Sequence, residues 1–451
     1  MTALDDTVAR YHKILETPDI TGSDWAKSLH DSMAARNLIP GGRPVCPVLR
    51  PHFITRRQYD GMAKAAETLY SAMDRLRQMV LATPALMNRL EMLPAEKMLA
   101  TLDPGYPYLA VANLLDTHLQ NGSCRFTETD GYLPGGVVFN DALTEIFWDS
   151  APMKALRKKF RFSKSTGMKK LLHSLLSAYK VSGKRKFPRI AIVEFRPPFK
   201  NTPSQEHVMI AEHFRAAGYP TEVVTPEELD YRNGVLCRKD FGIDIVYRKV
   251  SAHDFLVRFD LTHPLVRAYR ERTVCMVNSF RTEMLRKKAM LSLLTDEAVT
   301  EKFPAAEKKA IRDHIPWTRM VAQTQTSIGG QSVDLLEHIR KNRLNLVLKP
   351  NDASGDQHSF RGWETDEAGW ERAIKTALRN SYVVQERTEA PVSTFPVYQF
   401  GKIEQRAMAV EVHPHIYLGK VDGCSTEISD AGGGFSTLTG VAPVFVLEGA
   451  N

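Results

Sequence analysis

Apolar residues recur at helical spacing through "QYDGMAKAAETLYSAMDRLRQMVLATPALMNRL" (58–90), which predicts helix in the N-terminal part. The pattern shortens over "YPYLAVANLLDTHLQNGSCRFTETD" (106–130). Two short apolar runs there flank the turn signal Asn121-Gly122, so a hairpin or a pair of neighbouring strands is expected. "NDALTEIFWDSAPMKALRKKF" returns to helix. From 189 onward strand and helix alternate. "RIAIVEF" (189–195) reads as a buried strand and "SQEHVMIAEHFRAAG" (204–218) as an amphipathic helix closing on Gly218. "TEVVT", "IDIVYRKV" (243–250) and "VCMVNSF" (274–280) are further strands, and this order implies a small parallel sheet. A basic helix follows over "RTEMLRKKAMLSLLTDE". "LVLK" and "YVVQER" (382–387) are two strands separated by a polar loop and a helix around 370–378. The tail alternates glycine-rich turns with an apolar strand.

A chain of 451 residues is too long for one simple core, so two or three domains are expected. No run of eighteen apolar residues occurs, which argues against a membrane span. The opening "MTALDDTVARYHK" is acidic and lacks an apolar centre, so a secretory signal is not expected. Five scattered cysteines (46, 124, 237, 275, 424), odd in number and without a CxxC pair, read as reduced thiols in a cytoplasmic protein. None has a base partner at a recognisable spacing.

The net charge of +8 is unevenly spread: residues 151–190 hold thirteen Lys and Arg and no acid, leaving the rest net −5. An anionic partner such as nucleic acid or an acidic carrier is one reading. The stretch lacks interleaved aromatics for base stacking, so a solvated helix and linker is preferred.

Three constellations carry chemistry. Lys349 ends an apolar strand, Leu346-Val347-Leu348; a charge so placed calls for an anion, of which phosphate is a natural example, and the alternative is a lysine that simply emerges from the sheet edge. Asp116, Glu128 and Asp130 lie in the expected hairpin; Glu128 and Asp130 share a strand face, and the turn can bring Asp116 opposite. Converging carboxylates suit Mg²⁺ held together with nucleotide phosphates, and the alternative is a solvated acidic turn. Gln385 and Glu386 end a strand with groups suited to an adenine edge or ribose hydroxyls. His413 and His415 in "EVHPHIY" alternate on a strand without an obvious third ligand, and read as surface residues.

In order, "DIVYRKV", "VNSFRTEMLRKKAMLSLLTDE", "HIPWTR", "LVLKPND", "YVVQER" and the closing "GGG…APVFV" resemble the ATP-grasp enzymes. The likeness is to the circularly permuted branch that includes glutathionylspermidine-synthetase-like proteins. The resemblance implies an α/β and α+β multidomain chain: a grasp fold in permuted order beside a small parallel-sheet pre-grasp domain. It implies the divisions 1–150 (helices and metal-ligand part), 151–188 (basic linker), 189–281 (pre-grasp domain), 282–390 (nucleotide lobe) and 391–451 (completion of the grasp lobe). Asp116 and Glu128 match the magnesium carboxylates, and Asp130 stands where the third ligand is usually asparagine. Lys349 and Lys288 match the phosphate lysines, Gln385 and Glu386 the adenosine hinge, and Gly355 the phosphate loop. ATP and Mg²⁺ are the implied cofactors. The implied activity is amide or peptide bond formation between small-molecule or peptide carboxylate and amine substrates.

Departures from the pattern matter too. Asp356 and Gln357 replace a glycine and a lysine of the loop, Leu114 stands for an arginine, and Glu427 stands where an arginine is usual. Three lost charged hydrogen bonds are worth about 4–9 kcal/mol, comparable to a whole micromolar affinity. Arg361, Arg319, His358 and Lys420 are candidates to replace that charge, Arg361 foremost as a catalytic cation. A non-catalytic homologue serving as a nucleotide-binding or scaffold subunit is the alternative.

Overall fold

The longest strand, Lys402–Tyr417, buries Val410 and Val412 on one face and turns Glu411 and His413 to the other, as the two-residue period of a strand requires. A computed structural model describes residues 2–21, 24–120, 123–129, 135–164, 166–196, 202–352, 358–399, 401–431 and 438–449. In it this strand pairs antiparallel with Val392–Gln399, with Lys420–Asp430 and with Ala112–Gln120. Ala112–Gln120 pairs in turn with Ser123–Thr129, and Thr439–Ala442 closes the far edge on Lys420–Asp430. Two strands from the first third of the chain thus complete a sheet whose other strands come from the last sixty residues or so.

Helix Arg56–Ala82 covers one face of that sheet. A capping box between Thr55 and Gln58 starts it, and Met62, Ala66, Leu69, Met73, Leu76 and Val80 recur three or four apart along its buried side. They share one core with Val410, Val412, Ile428 and, from the N-terminal helix Ala3–Leu15, Tyr11 and Leu15.

Four parallel strands form a second sheet in the order Cys275–Val277, Ile245–Lys249, Ile190–Glu194, Thr221–Val224. This is the small parallel sheet expected from the alternating pattern. A third sheet, of Thr318–Met320, Tyr382–Glu386, Leu346–Pro350 and Phe360–Arg361, is antiparallel throughout. Helices Leu335–Lys341 and Glu367–Arg379 cover it, and the buried indole of Trp370 donates to the Ile339 carbonyl at 3.1 Å.

The basic helix expected after "VCMVNSF" is not continuous. Helix Glu283–Arg286 ends, Lys287 is extended at ψ 119°, and helix Ala289–Leu294 begins after Lys288. The cause lies in the "PND" that follows Lys349. The Lys288 amide donates to the Asn351 carbonyl at 2.9 Å, and the Ala289 amide to Asn351 Oδ1 at 2.8 Å. Lys287 turns to Glu96 and Asp352, and Arg286 Nη2 lies 2.8 Å from Asp352 Oδ1. Residues 284–294 accordingly pack with the large core, and helix Ala289–Leu294 also lies against the lobe's strand Thr318–Met320.

Candidate active site

Alternation along Leu346–Pro350 buries Leu346 and Leu348 under the lobe's helices and turns Val347 and Lys349 into a cleft. Across that cleft Lys349 Nζ donates to Glu128 Oε1 at 3.0 Å. Lys288, presented by the break after helix Glu283–Arg286, reaches the other oxygen, with Nζ 3.3 Å from Glu128 Oε2. Burial would push the Glu128 carboxyl up, but the two ammonium groups outweigh it and hold the carboxyl below its ordinary value.

Asp116 faces Glu128 as its cross-strand partner, next to an irregularity in the register. Asp116 Oδ1 lies 2.9 Å from His413 Nδ1. Burial alone would lower His413; the hydrogen bond and charge of Asp116, with Glu411 and Glu427 adding, hold it above the ordinary histidine value. Glu411 is held low by the hydrogen bond from His118, at 3.4 Å.

Two cavities meet at the Asp116–Glu128 pair. The larger, about 650 Å³, also holds Val347, Lys349, Arg361, Trp363, Gln385, Glu386 and Arg387. The smaller, about 400 Å³, continues to Leu114, Arg286, Lys288, His413, Ser425 and Glu427. Oxygen donors of Asp116 and Glu128, adjacent across two strands and open to both cavities, fit a magnesium ion.

Of the residues singled out in the sequence, Asp116, Glu128, Lys288, Lys349, Arg361, Gln385 and Glu386 all border these two cavities. Asp130, Gly355, Asp356 and Gln357 lie outside the described residues, as does the Asn121-Gly122 turn. Gln385 is buried and its amide is already engaged, donating to Thr318 Oγ1 at 3.1 Å and to the Thr127 carbonyl at 3.4 Å. Glu386 accepts from the Trp317 amide at 3.2 Å. Arg361 pairs with Glu364 at 3.2 Å on the cleft's exposed rim.

The surface reading of His413 and His415 is corrected. Their strand is central to the sheet, so both are buried, and His415 Nε2 sits 2.9 Å from Ser425 Oγ. Of the other proposed replacement cations, Arg319 is bound to Thr295 and Thr326 and Lys420 to Glu67, and neither borders the two cavities. Arg286 and Arg387 do border them and were not singled out. The run "RKK" was the available signal for Arg286; for Arg387, its guanidinium stacked over Trp363 at 4.5 Å, nothing local in the sequence stood out.

Five of the thirteen basic residues of 151–190 pair with acids from elsewhere: Lys159 with Asp6, Lys164 with Glu145, Lys170 with Asp422, and Arg185 and Arg189 with Asp244. A separate cluster, Glu96, His253 and Asp352, brings three ligand-type atoms within 4.8 Å of one another. Lys287 already neutralises both of its carboxylates, so it reads as an ion network. All five cysteines are buried, and burial pushes the thiols of Cys46, Cys275 and Cys424 up to about 12. Among the described residues no helix is long and apolar enough to cross a membrane.

No protein-family description and no curated protein matches the chain. Solved structures do. A glutathione synthetase-like effector of Globodera pallida superposes with a TM-score of 0.61 at 12% identity, covering 96% of this chain and 99% of the other. A RimK-domain ATP-grasp protein of Sphaerobacter thermophilus matches at 14% identity over 57% of this chain and 90% of its own, but its TM-score of 0.31 is too low to carry an argument. The first likeness shows a shared fold over nearly the whole chain, in keeping with the grasp fold beside a small parallel-sheet domain that the sequence resemblance implied.

Proposed function

We propose that the protein is an ATP-dependent carboxylate–amine ligase of the circularly permuted ATP-grasp kind. The observation that carries the reading is the junction of two cavities at which Lys349 and Lys288 both pair with Glu128, with Asp116 its cross-strand neighbour and the strand end at Gln385 and Glu386 in the larger cavity. The acidic strands precede the lysine strand in the chain yet complete the C-terminal sheet, which supports the permuted order. The name of the glutathione synthetase-like effector points the same way.

In this reading a substrate carboxylate attacks the γ-phosphorus of ATP. The bond to the β,γ-bridging oxygen breaks, ADP leaves, and an acyl-phosphate forms. An amine then attacks the acyl carbon, phosphate departs, and the nitrogen gives up its proton. Lys349 and Lys288 exchange Glu128 for phosphate oxygens and orient them. Asp116 and Glu128, with Asp130 as third ligand, would hold Mg²⁺, which when bound offsets charge on the phosphoryl group. Arg286 and Lys288 line the smaller cavity where an acyl oxygen would need a cation. Positioning and charge neutralisation suffice, so no protein nucleophile is needed.

The test is ADP release that requires a carboxylate and an amine together. Lys349→Ala should lower it roughly hundredfold; unchanged release would remove the site assignment. A second reading, a nucleotide-binding homologue without turnover, is favoured by Leu114 and Glu427 at positions where the resemblance expects arginine. Calorimetry with ATP and Mg²⁺ separates the two: binding heat without turnover across a substrate panel supports the second.

A further inference from the structure

The larger cavity follows strand Leu346–Pro350, and its two ends differ in chemistry. Lys349, on Glu128, stands at one end. At the other, the Arg387 amide donates to the Asn345 carbonyl at 2.8 Å, just before the strand begins. From Asn345 to Lys349 the rise of extended chain is about 10–13 Å. A nucleotide whose phosphates meet Lys349 can therefore carry its base to the Arg387 end.

The Arg387 guanidinium lies over the indole of Trp363, with Cζ 4.5 Å from the ring centroid, and both side chains border the larger cavity. The turn that carries Trp363 is held tight. The Gly362 amide donates to the Leu346 carbonyl at 3.0 Å, and a Cβ on Gly362 would lie 1.9 Å from the Arg343 carbonyl oxygen. Because the pair is already closed on itself, a ligand ring can stack only on its outer surface. Glu389 Oε1, 3.0 Å from Arg387 Nη2, offsets the guanidinium charge. What is left is a flat π surface, which suits an aromatic ring better than a phosphate. The side chains expected at the base are engaged elsewhere: the Gln385 amide on Thr127 and Thr318, and Glu386 on the Trp317 amide.

We propose that the outer surface of the Trp363–Arg387 pair is the platform on which the base of the nucleotide stacks. This deepens the nucleotide-cleft part of the ligase reading and rests on it; it does not depend on turnover.

The test titrates ADP and pyrophosphate, each with Mg²⁺, into the full chain by calorimetry. The two probes share the phosphate end, and only ADP has a base. Trp363→Ala and Arg387→Met should each weaken ADP about tenfold and leave pyrophosphate unchanged. The unchanged pyrophosphate affinity also shows that the variants are folded. Trp363→Phe, which keeps a ring, should recover most of the ADP affinity. Lys349→Met should weaken both probes alike. Wild-type ADP affinity in both Trp363→Ala and Arg387→Met, or an equal loss for ADP and pyrophosphate in them, would overturn the proposal and leave the nucleotide cleft standing. A wild type that binds neither probe would overturn both. ADP binding that depends on Trp363, without any ADP release in the presence of a carboxylate and an amine, would instead overturn the ligase reading and leave this one standing.

Discussion

Lys349 and Glu128 lie 221 positions apart in the chain and meet at 3.0 Å between Nζ and Oε1. The contact joins the antiparallel lobe to the large sheet, and Lys288 grips the second oxygen of the same carboxylate. The groups expected to hold phosphate and metal therefore neutralise each other across the cleft.

A first consequence concerns stability. Lys349→Met and Glu128→Gln should be coupled in a double-mutant cycle by about 1 kcal/mol, measured by urea unfolding. The value stays at the low side because Glu128 keeps about 35% of its side chain exposed. The Glu128 carboxyl is held low in the folded state, so its contribution is present above the unfolded carboxyl pKa and lost as pH falls through the folded one. Lys349→Met should flatten that acid limb.

A second concerns ligand order. With Glu128 occupied by two ammonium groups, Mg²⁺ alone should bind weakly, and a nucleotide whose phosphates draw the lysines away should strengthen it. Calorimetric titration of Mg²⁺ with and without ADP should show at least about a tenfold gain with nucleotide. Glu128→Gln should abolish that gain. Equal Mg²⁺ affinity in both titrations would show that the ion pair does not gate the site.

A third concerns acid lability. Burial, with Arg50 nearby, lowers His52 to about 3, and burial, with His413 nearby, lowers His415 to about 3. Both are neutral when folded and take a proton when unfolded below about 6.5. Stability is thus complete above that pH and falls toward 3, by about 1.4 kcal/mol per pH unit for each. Urea midpoints between pH 7 and pH 4 should show the slope, and His415→Gln should reduce it by one such increment.

A fourth concerns the break that delivers Lys288. Asn351 is buried, accepts from the Ala289 amide at 2.8 Å and donates to the Leu90 carbonyl at 3.0 Å. Asn351→Ala strands both groups and should cost about 2–4 kcal/mol in chemical unfolding. A stable Asn351→Ala variant with unaltered nucleotide affinity would show that Lys288 is held by other contacts.

Much of the site was legible before its geometry. The period-two run Leu346–Val347–Leu348 named Lys349 as a strand-end charge, and the two short runs around 121 named paired strands. His413 was misread because alternation shows that residues 411, 413 and 415 share a face, but not which neighbour covers it. The helix break was hidden because "RTEMLRKKAMLSLL" has good helix formers throughout. It is Asn351, more than sixty residues later, that captures the amides at 288 and 289.

By itself, then, the amino-acid sequence determined the local elements, the parallel βαβ order and the chemical identity of the two lysines and two acids. Those depend on side-chain period and on groups close along the chain. Tertiary structure alone decided that Asp116 would face His413 and that one carboxylate would serve two lysines. Such pairings arise between residues hundreds of positions apart, where only the closing of one strand order into one sheet decides which charges share a cleft.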